Sequence, residues 1–80
     1  MKPRYPESAR RQGVEGTVLL KMRITEQGRV EDVQVERSAG HPDLDQSAME
    51  AVQRWRFEPA RRNGEPVAIL VTIPVVFKLQ

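Results

Sequence analysis

Apolar and polar residues alternate along three segments of the chain, and a period of two is typical of β-strands with one buried face. The alternation predicts strands over residues 16–25, 30–38 and 67–79. The positions expected to face the core are Val18, Leu20, Met22, Ile24, Ile69, Val71, Ile73, Val75, Phe77 and Leu79, and the second strand carries Val33 and Val35 on one face. A short turn containing Gly28 separates the first two strands, which are therefore predicted to form an antiparallel hairpin.

The apolar spacing changes to a helical period between residues 43 and 56. The stripe consists of Leu44, Ala48, Ala51, Val52 and Trp55. We expect Asp43 to cap this helix with Gln46 as its capping-box partner, and we expect Trp55 to be buried against the sheet. A shorter helix is predicted over residues 6–12, because a proline opens this segment and a glycine follows it.

The order helix, strand, strand, helix, strand predicts a single α+β domain over residues 1–80. Two helices are expected to pack on one face of a three-stranded antiparallel sheet. A right-handed crossover from the second to the third strand would give the strand order 2-1-3, with the last strand at the edge. Residues 61–66 are predicted to be a polar loop centred on an Asn-Gly turn, with residues 57–60 as a candidate short strand before it.

The composition argues against an enzyme or a metalloprotein. Among 80 residues there is no cysteine and one histidine, His41, which excludes disulfides and cysteine-based zinc sites and leaves a transition-metal site without a ligand set. No serine has a histidine or lysine near it in a pattern that would activate it. We therefore predict no catalytic activity, no metal and no cofactor.

The charge balance is mildly basic, with a formal net charge of +2. Six arginines, at positions 10, 11, 54, 56, 61 and 62, would suit a small basic nucleic-acid binder. Such proteins stack bases on aromatic side chains, however, and the chain holds only two Phe, one Tyr and one Trp. We predict no nucleic-acid partner and keep this class as the third hypothesis.

The chain has no apolar run of about 20 residues, so we expect the domain itself to lie outside the membrane. Folded sequence begins almost at Met1. We interpret the chain as a domain cut from a longer protein, with any targeting segment upstream.

The last predicted strand is long, apolar and expected at a sheet edge, where an unpaired row of backbone groups recruits other strands. Pro74 is its one obvious protection, because proline in a sheet is confined to edges and bulges. This combination favours the addition of a partner strand. The alternative is that another subunit or a flanking segment covers the edge.

Several short motifs occur in an order that resembles the TonB C-terminal domain family. They are Tyr5-Pro6, Glu15-Gly16, Gly28-Arg29-Val30, Arg54-Trp55-Arg56-Phe57-Glu58-Pro59 and Phe77-Lys78-Leu79. Together they cover nearly the whole chain, and the arginine-tryptophan-arginine-aromatic-x-proline run is the most telling of them.

The resemblance implies a periplasmic domain of an energy transducer that is anchored in the inner membrane through a proline-rich linker. Such a domain binds the TonB box of an outer-membrane TonB-dependent receptor by strand addition. It transmits energy that an ExbB/ExbD-type inner-membrane complex derives from the proton-motive force. The cargo of such receptors includes siderophores, haem and vitamin B12-like compounds.

The candidate binding residues follow from two arguments. Proline has no N–H, so Pro74 is expected to face outward together with the other even positions of the last strand. These positions are Leu70, Thr72, Pro74, Val76 and Lys78. The resemblance adds Lys2 and Arg4, which precede the Tyr-Pro pair and stand where the best-known members carry polar amides.

Two further expectations concern partners. A domain of this fold can also serve as an envelope-bridging or interaction domain of an assembly or secretion system, and this is the second hypothesis. The exposed edge strand also predicts a homodimer through edge strands. Such a dimer, if it forms in an isolated domain, would be weak evidence of physiological assembly.

Overall fold

The computed structural model describes residues 3–79. Its elements, in chain order, are α1 (Glu7–Gln12), β1 (Gly16–Ile24), β2 (Val30–Arg37), α2 (Pro42–Val52), β3 (Ala60–Arg62), β4 (Glu65–Val67) and β5 (Ile69–Phe77).

The main sheet has the order β2-β1-β5, with β1 antiparallel to both neighbours. The predicted 2-1-3 arrangement of the three long strands is therefore confirmed. The α2 helix packs against β1 and β2, and α1 packs against α2.

The prediction of a single three-stranded sheet is wrong, because β3 and β4 form a second, two-stranded antiparallel sheet. Asn63 and Gly64 both have positive φ, 53° and 82°, as a two-residue type I′ hairpin turn requires. This turn sets up pairing on both sides, which converts the predicted loop into a hairpin. It also explains why β5 begins at Ile69, since Glu65–Val67 pair with β3 instead of continuing into the main sheet.

The long helix also differs from its prediction. It ends at Val52 because the next residues make tighter turns, with the Trp55 N–H donating to the Val52 carbonyl at 3.0 Å. Its N-cap is His41, whose Nδ1 accepts the Asp43 N–H at 3.3 Å, and Pro42 occupies the first turn. The predicted Asp43 cap is wrong, and the Asp43 carboxylate instead accepts a hydrogen bond from the Ser8 hydroxyl.

The core lies between the helices and one face of the main sheet. Its buried residues are Ala9, Val18, Leu20, Met22, Ile24, Leu44, Ala48, Val52, Val75 and Phe77. Each large side chain in this set contributes about 1.5–3 kcal/mol by leaving water. Trp55, predicted to be buried, is only half-buried and packs against the border of the core.

Neither helix in residues 3–79 is both long and apolar enough to cross a membrane.

Candidate strand-binding edge

The main sheet has two edges, and the β2 edge is the protected one. Its pairing with β1 shifts register twice, and Asp32 has a positive φ of 55°. Such irregularities bend a strand and interrupt its outer row of hydrogen-bonding groups. Charged side chains also cover the strand, and they are Glu31, Asp32, Glu36 and Arg37. This edge is poorly suited to accept another strand.

The β5 edge is regular. Its pairing with β1 runs without a register shift from Gly16 opposite Phe77 to Ile24 opposite Ile69. Within residues 3–79 β5 has β1 as its single neighbour, so its other side offers an open row of backbone groups. A strand of nine residues presents this row over about 27 Å.

The side chains of β5 alternate between the core and the solvent. Val75 and Phe77 are buried, whereas Leu70 and Val76 are 67% and 63% exposed. Thr72 and Pro74 are exposed as well. From Val71 to Phe77 the odd positions therefore face the core and the even positions face the solvent, whereas Ile69 at the start of the strand is exposed.

The direction of the backbone groups is a separate question. Beyond the end of β5, the Leu79 N–H donates to Glu15 Oε2 at 2.7 Å, towards the side of β1. Because consecutive residues of a strand alternate sides, this contact favours odd amides directed at β1 and even amides directed away. That the backbone nitrogen of Pro74 points away from β1 stays a prediction.

Tyr5 joins the N-terminal segment to the end of β5. Its ring meets Phe77 edge-on, with centroids 5.5 Å apart and planes at 84°, and its hydroxyl donates to the Val14 carbonyl. Burial raises the pKa of the Tyr5 hydroxyl, and the Glu15 carboxylate acts in the same direction. The hydroxyl therefore stays protonated as a donor at neutral pH.

The candidate residues fall at both ends of β5. Arg4 and Lys78 each line a cavity next to Tyr5, of about 290 Å³ and about 520 Å³ respectively. Leu70 lies at the opposite end of the strand, where β5 begins. Lys2 lies outside the described residues.

Sequence reasoning missed Arg10 as part of this region. Its guanidinium lies 6.0 Å from the centroid of the Tyr5 ring, and it lines both of these cavities. The sequence showed it only as one of six arginines in a possible basic patch, because periodicity and composition do not report the contact of Arg10 with the Tyr5 ring.

Among the described residues no group of three or more His, Cys, Asp or Glu side chains is placed to hold a metal ion.

Comparison with known proteins identifies the family. A family model described as the Gram-negative bacterial TonB protein C-terminal matches residues 1–79. This chain belongs to the TonB C-terminal domain family. The resemblance seen in the motifs is thereby confirmed.

Two relatives illustrate how similar the TonB sequences are. Protein TonB of Vibrio cholerae is 44% identical over 80 residues, which is 100% of this chain and 33% of the relative. Protein TonB of Escherichia coli is 32% identical over 77 residues, which is 96% of this chain and 30% of the relative. The chain thus spans about a third of the curated TonB proteins it matches.

Solved TonB domains share the fold. The solution structure of the Pseudomonas aeruginosa TonB CTD matches with a TM-score of 0.85 and 36% identity, over 100% of this chain and 81% of that one. A TonB-CTD structure from Helicobacter pylori matches with a TM-score of 0.75 and 28% identity, over 96% of this chain and 80% of that one.

Proposed function

We propose that this domain binds the TonB box, an extended segment of an outer-membrane TonB-dependent receptor, by strand addition along β5. In the whole protein it is the periplasmic part of an energy transducer anchored in the inner membrane. An ExbB/ExbD-type complex supplies energy from the proton-motive force, and the receptor uses it to import siderophores, haem or vitamin B12-like cargo.

The observation that carries this proposal is the contrast between the two sheet edges. β2 is bulged and charged, whereas β5 keeps an unbroken register over nine residues and exposes apolar side chains such as Leu70 and Val76. Unprotected regular edges recruit strands, and protected ones do not. Membership in the TonB family supports a TonB-dependent receptor as the partner.

In this proposal the even positions of β5 make the contacts. Leu70, Thr72, Val76 and Lys78 each offer an N–H and a carbonyl to the receptor strand, and Pro74 offers its carbonyl alone. The exposed Arg4 side chain, together with Lys2, contacts the receptor beside the end of the strand.

A titration tests where the peptide binds. Adding a synthetic TonB-box peptide to the ¹⁵N-labelled domain should shift amide resonances along β5 and leave β2 unchanged. Shifts confined to β2 would contradict the proposal. No shifts at all would favour the alternative of an envelope-bridging domain without a TonB-box partner.

A proline substitution tests whether the N–H groups of the even positions of β5 bind the peptide. Thr72→Pro removes one N–H from an exposed position, and we expect the peptide Kd to rise about fivefold for the loss of one hydrogen bond of about 1 kcal/mol. Thr72→Val keeps the N–H and is the matched control. If Thr72→Pro unfolds the domain while the control does not, the Thr72 amide pairs with β1 and the assigned orientation is wrong.

A further inference from the structure

A surface groove lies just after α2 and belongs to neither the β5 edge nor the Tyr5 region. Four consecutive residues, Arg54, Trp55, Arg56 and Phe57, line a cavity of about 440 Å³ there. The adjoining β1–β2 turn follows Ile24, which pairs with the first residue of β5, Ile69. The groove is therefore at the end of the sheet opposite Phe77.

The backbone of the groove is held by the β1–β2 turn. The Phe57 N–H donates to the Gly28 carbonyl at 2.9 Å, and Arg29 and Arg56 form an antiparallel β-bridge. Any Cβ on Gly28 would lie 1.9 Å from the Phe57 carbonyl oxygen. This close approach brings Arg29 next to the groove and fixes residues 54–57 in place.

The arginines at the groove form no ion pair among the described residues. Arg29, Arg54 and Arg56 are all exposed. The ion pairs formed between residues 3 and 79 are Arg11–Glu7 and Arg23–Glu31, and neither involves these three arginines. Arg54 and Arg56 line the groove, and Arg29 is bridged to Arg56 through the backbone. Positive charge at this concave surface favours an anionic ligand, and Arg binds carboxylates in a bidentate manner.

The aromatic residues supply an apolar wall and an unused donor. The rings of Trp55 and Phe57 lie 6.2 Å apart, and both residues are half-buried. The Trp55 Nε1–H is buried and has no hydrogen-bond acceptor among the described residues. An unpartnered buried donor is costly and calls for an explanation, such as an acceptor that arrives with a ligand.

We propose that this groove is a second docking site, which binds an acidic peptide segment of a partner protein. The carboxylates of the segment pair with Arg29, Arg54 and Arg56, and an apolar side chain next to them packs against Trp55 and Phe57.

The surroundings of the groove favour a short peptide over a nucleic acid. Glu26 and Glu58 are exposed and close in sequence to Arg29 and Arg56, so a continuous polyanion would meet repulsion near these arginines. The half-buried rings also leave little face for stacking bases. A short segment can place two or three carboxylates at these arginines and still offer an apolar side chain.

Trp55 makes the test direct, because it is the single tryptophan of the chain and reports on this groove alone. The probe is the peptide acetyl-Glu-Leu-Asp-Leu-Glu-amide, titrated at low ionic strength while tryptophan emission is recorded. We expect a saturable change, and at least tenfold weaker binding of the neutral peptide acetyl-Gln-Leu-Asn-Leu-Gln-amide.

Charge-matched variants locate the site. Arg54→Gln with Arg56→Gln should weaken binding of the acidic peptide at least tenfold. Lys21→Gln with Arg37→Gln removes the same charge from exposed positions on β1 and β2 and should leave the affinity unchanged. Thermal melts of both double variants check that the fold is retained.

Three outcomes would overturn the proposal. These are no saturable emission change with the acidic peptide, an equal loss of affinity in both double variants, and an equal or greater affinity for single-stranded DNA. The ¹⁵N shifts separate this test from the earlier one, since binding here perturbs residues 54–57 and TonB-box binding perturbs β5.

Discussion

At the scale of single residues, Gly28 shows how one position joins distant parts of the chain. Its φ of 79° lies in the region that favours glycine, and its backbone approaches Phe57 more closely than any Cβ allows. Its N–H also closes the β1–β2 turn by donating to the Thr25 carbonyl at 2.9 Å. Gly28 therefore serves the hairpin and the segment after α2 at once.

The first prediction at this scale is that Gly28→Ala destabilises the fold. We expect a loss of about 2–4 kcal/mol in the free energy of unfolding, because a left-handed conformation and a backbone clash add together. Urea denaturation measures it. Gly40→Ala is the control, since its φ of 88° carries the same conformational strain but open space surrounds its Cβ. Equal losses in the two variants would show that the Phe57 contact contributes nothing.

At the scale of elements, the β3–β4 hairpin is the part of the fold that depends least on the core. It pairs with itself, and Arg61, Arg62 and Glu65 are exposed. The Arg61 side chain donates to the Gly64 carbonyl at 3.0 Å, within the same turn. Its geometry is set locally by Asn63 and Gly64.

We therefore predict that replacing Arg61 and Arg62 together with serine changes the free energy of unfolding by less than about 1 kcal/mol. Both side chains are solvated, and neither forms an ion pair in the described part of the chain. Chemical denaturation tests this. A larger loss would show that the hairpin packs on the main sheet through these side chains.

At the scale of the whole molecule, the open β5 edge creates a conflict between binding a partner and pairing with a second copy. Each N–H of β5 that points away from β1 can pair either with a receptor strand or with a second copy of the domain. The hypothesis is that Pro74, by withholding one donor, limits self-pairing while the remaining even positions still admit a receptor strand. The exposed Leu70 and Val76 side chains favour both kinds of association.

Pro74→Val tests this balance by restoring the missing N–H. We expect the variant to dimerise about 30-fold more tightly in sedimentation equilibrium, because each of the two copies regains one hydrogen bond of about 1 kcal/mol. Its monomer melting temperature should stay nearly unchanged. Thr72→Val, which alters an outward side chain without altering the backbone, is the control. A higher monomer melting temperature with unchanged association would mean that position 74 faces β1.

The alternation of apolar residues was enough to predict the three long strands and their core-facing sides on β1 and β5, because burial of one face selects a single register. The order β2-β1-β5 followed from the right-handed crossover expected between the second and the last long strand. The side chains at positions 70, 72, 74 and 76 could accordingly be assigned to the solvent-facing side of β5 from the sequence alone. The bulges that protect β2 left no such signal, since the strand is mostly polar on both faces.

Other features required the tertiary structure, because they arise from contacts between residues far apart in sequence. The apolar stripe through Trp55 predicted a helix to residue 56, yet the helix ends at Val52 and the chain then pairs with the β1–β2 turn at Gly28 and Arg29. The cap at His41 and the place of Arg10 over Tyr5 are contacts within five residues, but hydrophobic periodicity does not report them. The groove beside Trp55 is decided by the pairing of Phe57 with Gly28. Local sequence periodicity reports which side of an element is buried, whereas where an element stops depends on the competing partners that its backbone finds in the folded molecule.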